Sequence, residues 1–265
     1  MQLNYINWNV DPEIFKIWIF SIRYYGLLFA SSFFFGYLIM QKIFKQEGLS
    51  IELLDKLTVY MAFGTVLGAR LGHCLFYQPD FYLSNPIEIL KIWRGGLASH
   101  GAAIGILISL YYFARKNKKP YLWILDRIAI VVALAGFFIR MGNLMNSEIY
   151  GNVTSLPWGF IFIHDGQTLP KHPTQIYEAL SYLTIFVILF RIYNKKGIEV
   201  KQGRIFSIFL ILLFTVRFFI EFIKEDQVGF EQGMSLNMGQ WLSIPFVAMG
   251  FYLLYRSIKI KPISK

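Results

Sequence analysis

Apolar residues in this chain come in long blocks that end in clusters of charge. Seven blocks approach the roughly 20 residues an α-helix needs to cross a bilayer. They cover 17–40, 53–77, 97–114, 121–140, 174–193, 205–223 and 241–255. This pattern predicts an all-α, polytopic membrane protein with about seven transmembrane helices. Polar residues interrupt several blocks: Arg23, Arg70 with His73, Asp126 with Arg127, and Arg217 with Glu221. Ionisable groups at membrane depth face the bundle interior or a wet cavity. Arg70 and His73, three residues apart, read as interhelical hydrogen bonders, and Asp126 with Arg127 as a local ion pair at one end of span four.

Composition supports the membrane reading. Hydrophobic residues make up 55% of the chain and charged residues 16%, well below the roughly 25% charged share of soluble domains. Lys and Arg gather at alternate ends of the blocks. Lys42, Lys45, Arg115, Lys116, Lys118, Lys119, Lys195, Lys196, Lys201, Arg204, Arg256, Lys259, Lys261 and Lys265 share one side, against Lys16, Lys91, Arg94, Lys171 and Lys224 on the other. The richer side is cytoplasmic by the positive-inside rule, which predicts an outside N-terminus and a cytoplasmic C-terminus. The net charge of +10 follows from this bias and suits anionic lipid headgroups; no nucleic-acid module accompanies it. The start of the chain lacks the layout of a cleaved signal peptide, so the first span reads as an uncleaved anchor.

Between spans four and five, about thirty residues from Asn143 to Pro173 are rich in Gly, Pro and aromatic side chains. They predict a small extracytoplasmic head, residues 143–173, within one membrane domain covering 1–265, with a strand or hairpin near 158–163. Gly64, Gly68 and Gly72 form a smooth face for close helix packing. The lone Cys74 excludes an intramolecular disulfide and reads as a packing residue.

Phosphate loops, zinc-protease motifs and nucleophile elbows are absent, and the four histidines are too scattered for a local metal signature. Chemistry must come from spatially assembled polar groups. Arg140 closes span four, followed by Asn143, Asn146 and Glu148; Arg217 sits deep in span six with Glu221 one turn on. Arg217 and Glu221 share a helical face, as an ion pair holding the bundle together or as a guanidinium presented to phosphate, whose oxygens its planar fork matches. The two Asn and Glu148 either cap the helix or arrange a headgroup's hydroxyls. His100, among small residues at the start of span three, is the candidate acid or base, since imidazole titrates near neutral pH. Tyr24 and Tyr25 suit interfacial anchors, and Pro173 with Thr174 suits a helix start that His172 caps.

Five segments, in order, resemble the phosphatidylglycerol:prolipoprotein diacylglyceryl transferase family of bacteria. They are Ile22-Arg23-Tyr24-Tyr25-Gly26-Leu27, the run Gly95 to Gly101, Arg140-x-Gly142-Asn143 through Gly151, His172-Pro173-Thr174-Gln175-Ile176-Tyr177-Glu178, and Arg217-Phe218-x-x-Glu221. The resemblance implies an inner-membrane enzyme that moves diacylglycerol from phosphatidylglycerol to the lipobox cysteine thiol of preprolipoproteins, releasing glycerol 1-phosphate. No metal or organic cofactor is implied. By the same resemblance His100 is the base for the incoming thiol, Arg140 and Arg217 are catalytic and phospholipid-binding, and Glu221 is their acidic partner. Tyr25, Asn143, Asn146, Glu148 and Gly151 are further substrate-binding positions.

The chain departs from the family's usual pattern at Ala102, Ile139, Leu144 and Ser147, and in Lys224-Glu225-Asp226-Gln227, where Arg-Glu-Pro-Asp is common. These changes spare the reacting groups. A rival enzyme reading is another lipid-phosphate transferase or phosphatase; the rival of another class is a transporter or receptor for a small anion, with Arg217 and Glu221 as a gating pair.

Overall fold

A computed structural model of the protein describes residues 5–18, 20–225 and 234–259. Asp226, Gln227, Lys261 and Lys265 lie outside the described residues. The elements run β1 Ile6–Trp8, β2 Glu13–Ile17, β3 Phe20–Arg23, α1 Tyr24–Gln46, α2 Ile51–Phe76, α3 Pro79–Ser84, α4 Ser99–Lys116 and α5 Tyr121–Met145, then β4 Phe160–Phe162, α6 Thr174–Lys196, α7 Arg204–Ile220 and α8 Met238–Lys259. Among the described residues, six helices are long and apolar enough to cross a membrane: α1, α2, α5, α6, α7 and α8. The chain is a multi-pass, all-α membrane protein.

The seventh crossing, α4, is 18 residues long, with Ser99 and His100 at one end and Arg115 and Lys116 at the other, so its apolar stretch is short. Strand pairing supplies the argument that it crosses. β1, before α1, pairs with β4, after α5, and two paired strands lie on one side of a bilayer. An even number of crossings must separate them. α1, α2 and α5 make three, and α4 makes the fourth.

Two element ends differ from the sequence reading. The first helix starts at Tyr24, not 17, because β2 and β3 pair antiparallel ahead of it, with Arg23 and Glu13 at 3.4 Å. The expected strand near 158–163 exists as β4, which pairs in parallel with β1 and also bridges antiparallel to Lys171 within its own segment, Phe160 and Lys171 exchanging N–H···O bonds of 2.9 and 2.8 Å.

By contacts the chain divides into two compact units, Met1–Ile39 with Asp126–Lys265, and Met40–Leu125. In the second, α2 packs on α4 through glycine. A Cβ added to Gly68 would lie 2.4 Å from the Gly101 carbonyl oxygen, and one added to Gly72 would lie 2.6 Å from the Gly101 Cα, so the backbones touch as the glycine spacing predicts. Cys74 is fully buried, in keeping with a packing role. Arg70 bonds to a short 3-10 helix, Pro86–Leu90, and the loop after it, and not to another spanning helix. It donates to the carbonyls of Glu88 at 2.6 Å, Ile89 at 2.8 Å, Gly95 at 2.6 Å and Gly96 at 3.3 Å, tying down the segment between α3 and α4. Loop carbonyls buried beside an apolar helix need such donors.

In the first unit α7 packs against α6 and α8. Its N-terminus is held by Asp126, whose carboxylate accepts the backbone N–H of Gly203 at 2.7 Å and of Phe206 at 2.8 Å. Asp126 and Arg127 are 4.0 Å apart, so Asp126 is first a cap for orphan helix donors and only second an ion-pair partner. The segment after α5 has its own small core of Leu144, Phe160 and Phe162, packed by Trp8, Met141, Tyr150 and Ile176. Trp8 Nε1 donates to the Leu144 carbonyl at 3.0 Å, satisfying one of the acceptors that a helix C-terminus leaves open.

Candidate active site

α5 does not stop at Arg140 but runs to Met145, so Arg140 and Asn143 occupy successive turns of one helical face. The chain then reverses tightly: Ser147 N–H donates to the Leu144 carbonyl at 3.0 Å and Glu148 N–H to the Asn143 carbonyl at 3.1 Å. Ser147 and Ile149 take φ of +54° and +61°. Left-handed backbone disfavours residues with a Cβ, which accounts for the glycine that the resembling family often carries at position 147. The turn aims Glu148 back at the helix, where its Oε1 accepts the Asn143 amide at 2.8 Å and the Asn146 amide at 3.2 Å. Asn143 Oδ1 in turn accepts Arg140 Nη1 at 3.2 Å. Arginine, two amides and a carboxylate therefore form one chain of hydrogen bonds, beyond helix capping alone.

α6 braces this turn. Gln175 Nε2 donates to the Glu148 carbonyl at 2.7 Å, and Thr174 Oγ1 to that of Ile149 at 3.0 Å. Pro173 occupies the N-cap position of α6. The His172 side chain does not cap it, although the His172 carbonyl accepts Thr174 N–H at 2.8 Å. Its Nδ1 lies 3.4 Å from the Tyr177 hydroxyl, its carbonyl accepts Gly151 N–H at 2.8 Å, and partial burial lowers its pKa below the ordinary imidazole range. Gly151 must be small, because a Cβ there would lie 2.3 Å from the Ile223 carbonyl oxygen. Tyr25 is more than an interfacial anchor: its ring lies over Gly142, where a Cβ would come within 2.8 Å of Tyr25 Cδ2.

Two carboxylates hold the arginines. Arg140 Nε lies 2.9 Å from Glu178 Oε2, off the N–H axis, so the contact is charge pairing and not a hydrogen bond. The Tyr182 hydroxyl also interacts with the Arg140 guanidinium. Arg217 Nε is 3.4 Å from Glu221 Oε1, one turn on as the spacing predicts. Asn237 Nδ2 donates to Glu221 Oε2 at 3.1 Å. The Arg217 side chain is 36% exposed against 13% for Arg140. Lys224 reaches both carboxylates, 3.5 Å from Glu178 and 3.4 Å from Glu221.

His100 lies in the other unit, exposed in the first turn of α4, with ring contacts to Phe76 at 5.4 Å and Tyr77 at 5.8 Å between centroids. The first unit thus brings together Tyr25, Arg140, Asn143, Asn146, Glu148, Gly151, Arg217 and Glu221. Sequence reasoning assigned no role to Glu178, Gln175 or Lys224. The available signal was Glu178 itself, an acid one turn inside an apolar span with no basic neighbour along its own helix.

The chain matches the family model described as prolipoprotein diacylglyceryl transferase over residues 12–256. The chain belongs to this family. Among its relatives, the phosphatidylglycerol–prolipoprotein diacylglyceryl transferase of Tolumonas auensis is 49% identical over 96% of this chain and 98% of its own length. The proteins of the same name from Bacteroides fragilis strain ATCC 25285 and Chloroherpeton thalassium are each 43% identical, over 94% of both chains and over 99% and 98%, respectively. Membership agrees with the order of motifs in the sequence, and nothing in these relatives supports a transporter or receptor.

Proposed function

We propose that this protein transfers the diacylglyceryl group of phosphatidylglycerol to the thiol of the lipobox cysteine of a preprolipoprotein. The thiol sulfur attacks the glyceryl carbon bonded to the phosphate oxygen; a carbon–sulfur bond forms, the carbon–oxygen bond breaks, and glycerol 1-phosphate leaves with the electron pair. The observation that carries this reading is the linked cluster of Arg140, Asn143, Asn146 and Glu148 beside Arg217 and Glu221, in a chain of this family.

The two guanidiniums bind the phosphate, and their hold strengthens as charge builds on the leaving oxygen, which is the direction that lowers a barrier. The amides of Asn143 and Asn146, with Tyr25, orient the headgroup glycerol, and Gly151 keeps the approach clear. His100 takes the thiol proton, directly or through water, because the thiolate is the nucleophile. The reaction takes place at the outer face of the bacterial inner membrane, with the N-terminus outside, the C-terminus cytoplasmic and residues 143–173 forming the extracytoplasmic head.

The test combines purified protein, phosphatidylglycerol and a lipobox peptide, with mass spectrometry of the cysteine. A diacylglyceryl mass increase is expected; an unmodified peptide with folded, lipid-replete protein refutes the assignment.

A further inference from the structure

Lys224 is the least expected member of the cluster. It is 5% exposed, and its ammonium lies 3.4 Å from Glu221 Oε1 and 3.5 Å from Glu178 Oε1. Those are the two carboxylates that hold the two arginines: Glu178 faces Arg140 on α5, and Glu221 faces Arg217 on α7. Two buried carboxylates repel each other, and a buried charge left without a partner is costly. One ammonium between them removes the repulsion, and its three donors can serve both.

The backbone fixes Lys224 independently of its side chain. Lys224 bridges Gly151, and Asn152 N–H donates to the Ile223 carbonyl at 2.8 Å, so the segment after α7 is tied to the segment after α5. The ammonium therefore stands where the supports of both guanidiniums meet.

We propose that Lys224 is a positioning residue for the transfer reaction: by joining Glu178 to Glu221 it sets the spacing and orientation of Arg140 and Arg217 as one phosphate-binding pair. The inference rests on the reading of those arginines given above. Lys224 acts through the glutamates and does not itself touch substrate.

The test uses the full chain in phosphatidylglycerol nanodiscs with a lipobox peptide, and measures phosphatidylglycerol affinity, kcat, KM and melting temperature. Lys224→Met keeps much of the volume and removes the charge. It is expected to lower kcat/KM on the order of 100-fold, the scale of misplacing reacting groups by about 1 Å, with phosphatidylglycerol affinity falling alongside. Lys224→Arg keeps the charge and should recover kcat/KM to within about tenfold of the parent. If Lys224 works through the arginines, the losses from Lys224→Met and Arg217→Lys are less than multiplicative in the double variant. Strictly multiplicative losses, or Lys224→Met at parental kcat/KM, overturn the proposal.

Should Lys224→Met not accumulate as folded protein, the same cycle with Glu178→Gln and Arg217→Lys decides, since Lys224 links Glu178 to the Arg217 partner; multiplicative losses again overturn it. A parent that transfers no lipid defeats the functional assignment separately, while the ratio of variant to parental phosphatidylglycerol affinity still decides the role of Lys224.

Discussion

Replacing Gly68 by alanine tests how far catalysis depends on the glycine seam between α2 and α4. The new methyl would lie 2.4 Å from the Gly101 carbonyl oxygen and 2.8 Å from the Gly105 Cα, whereas unstrained heavy atoms meet at about 3.5 Å or more. Both obstacles are backbone, so no side chain can swing aside and the helices must part locally by about 1 Å. Overpacking of this kind costs about 1–3 kcal/mol, and the better helix propensity of alanine returns no more than about 1 kcal/mol. Net destabilisation of about 0–2 kcal/mol, centred near 1, follows. Gly26→Ala is the control, because nothing lies within 4 Å of its Cβ position and only the propensity gain remains.

The larger effect falls on function. His100 immediately precedes Gly101, so the shift is delivered to the imidazole, and a displacement of about 1 Å at a reacting group costs on the order of 100-fold in rate. Thermal denaturation in detergent and diacylglyceryl transfer at equal amounts of folded protein are the assays. Gly68→Ala should melt lower and turn over on the order of 100-fold more slowly, while Gly26→Ala should melt no lower than the parent. Parental turnover in Gly68→Ala would show that His100 tolerates movement of its helix, and would refute its placement as the base.

Three further outcomes are expected. His100→Gln should reduce turnover by about 10²–10⁴-fold, the range of general-base contributions, with phosphatidylglycerol affinity little changed; near-normal turnover shifts thiol activation to arginine or water. Arg217→Lys should stay folded and inserted yet lose most activity, because the planar fork is gone. The swap of Arg217→Glu with Glu221→Arg should not recover it, since the guanidinium then sits about 6 Å along the helix; full recovery would mean that pairing alone is what Arg217 supplies. Reporters fused after Lys119 and Lys196 should be cytoplasmic and one near Gly166 external, and a cytoplasmic Gly166 would overturn the placement of the active face.

The seven spans were legible because bilayer thickness imposes a length on apolar blocks that hydropathy reads directly. Their ends were not. Residues 13–23 are as apolar as the helix they precede, and hydropathy does not separate paired β-strands from a helical turn. At Arg140 the error ran the other way: the apolar block stops at the first charge, but the helix continues to Met145 because Arg140 and Asn143 find partners inside the protein. Along the chain, Arg140 to Glu148 lies within nine positions, so most of that cluster could be read. Glu178 stands 46 positions from Lys224, and no spacing rule connects residues on different helices. Arg217 with Glu221, one turn apart, was readable; the lysine shared between two carboxylates was not.

The parallel pairing of β1 with β4 also imposes an order on biosynthesis. Ile6 is made well before its partner Phe160, which follows only after four membrane segments. At about 5–20 residues per second, β1 waits on the order of 10 s with its backbone donors and acceptors open. During that interval Trp8 has no Leu144 carbonyl to bond, and the turn that carries Asn143, Asn146 and Glu148 does not yet exist. Strand β1 and the turn that holds the polar cluster therefore mature in a single late event, and a nascent chain halted before Phe160 would present the translocation machinery with an exposed strand edge and an unbraced turn.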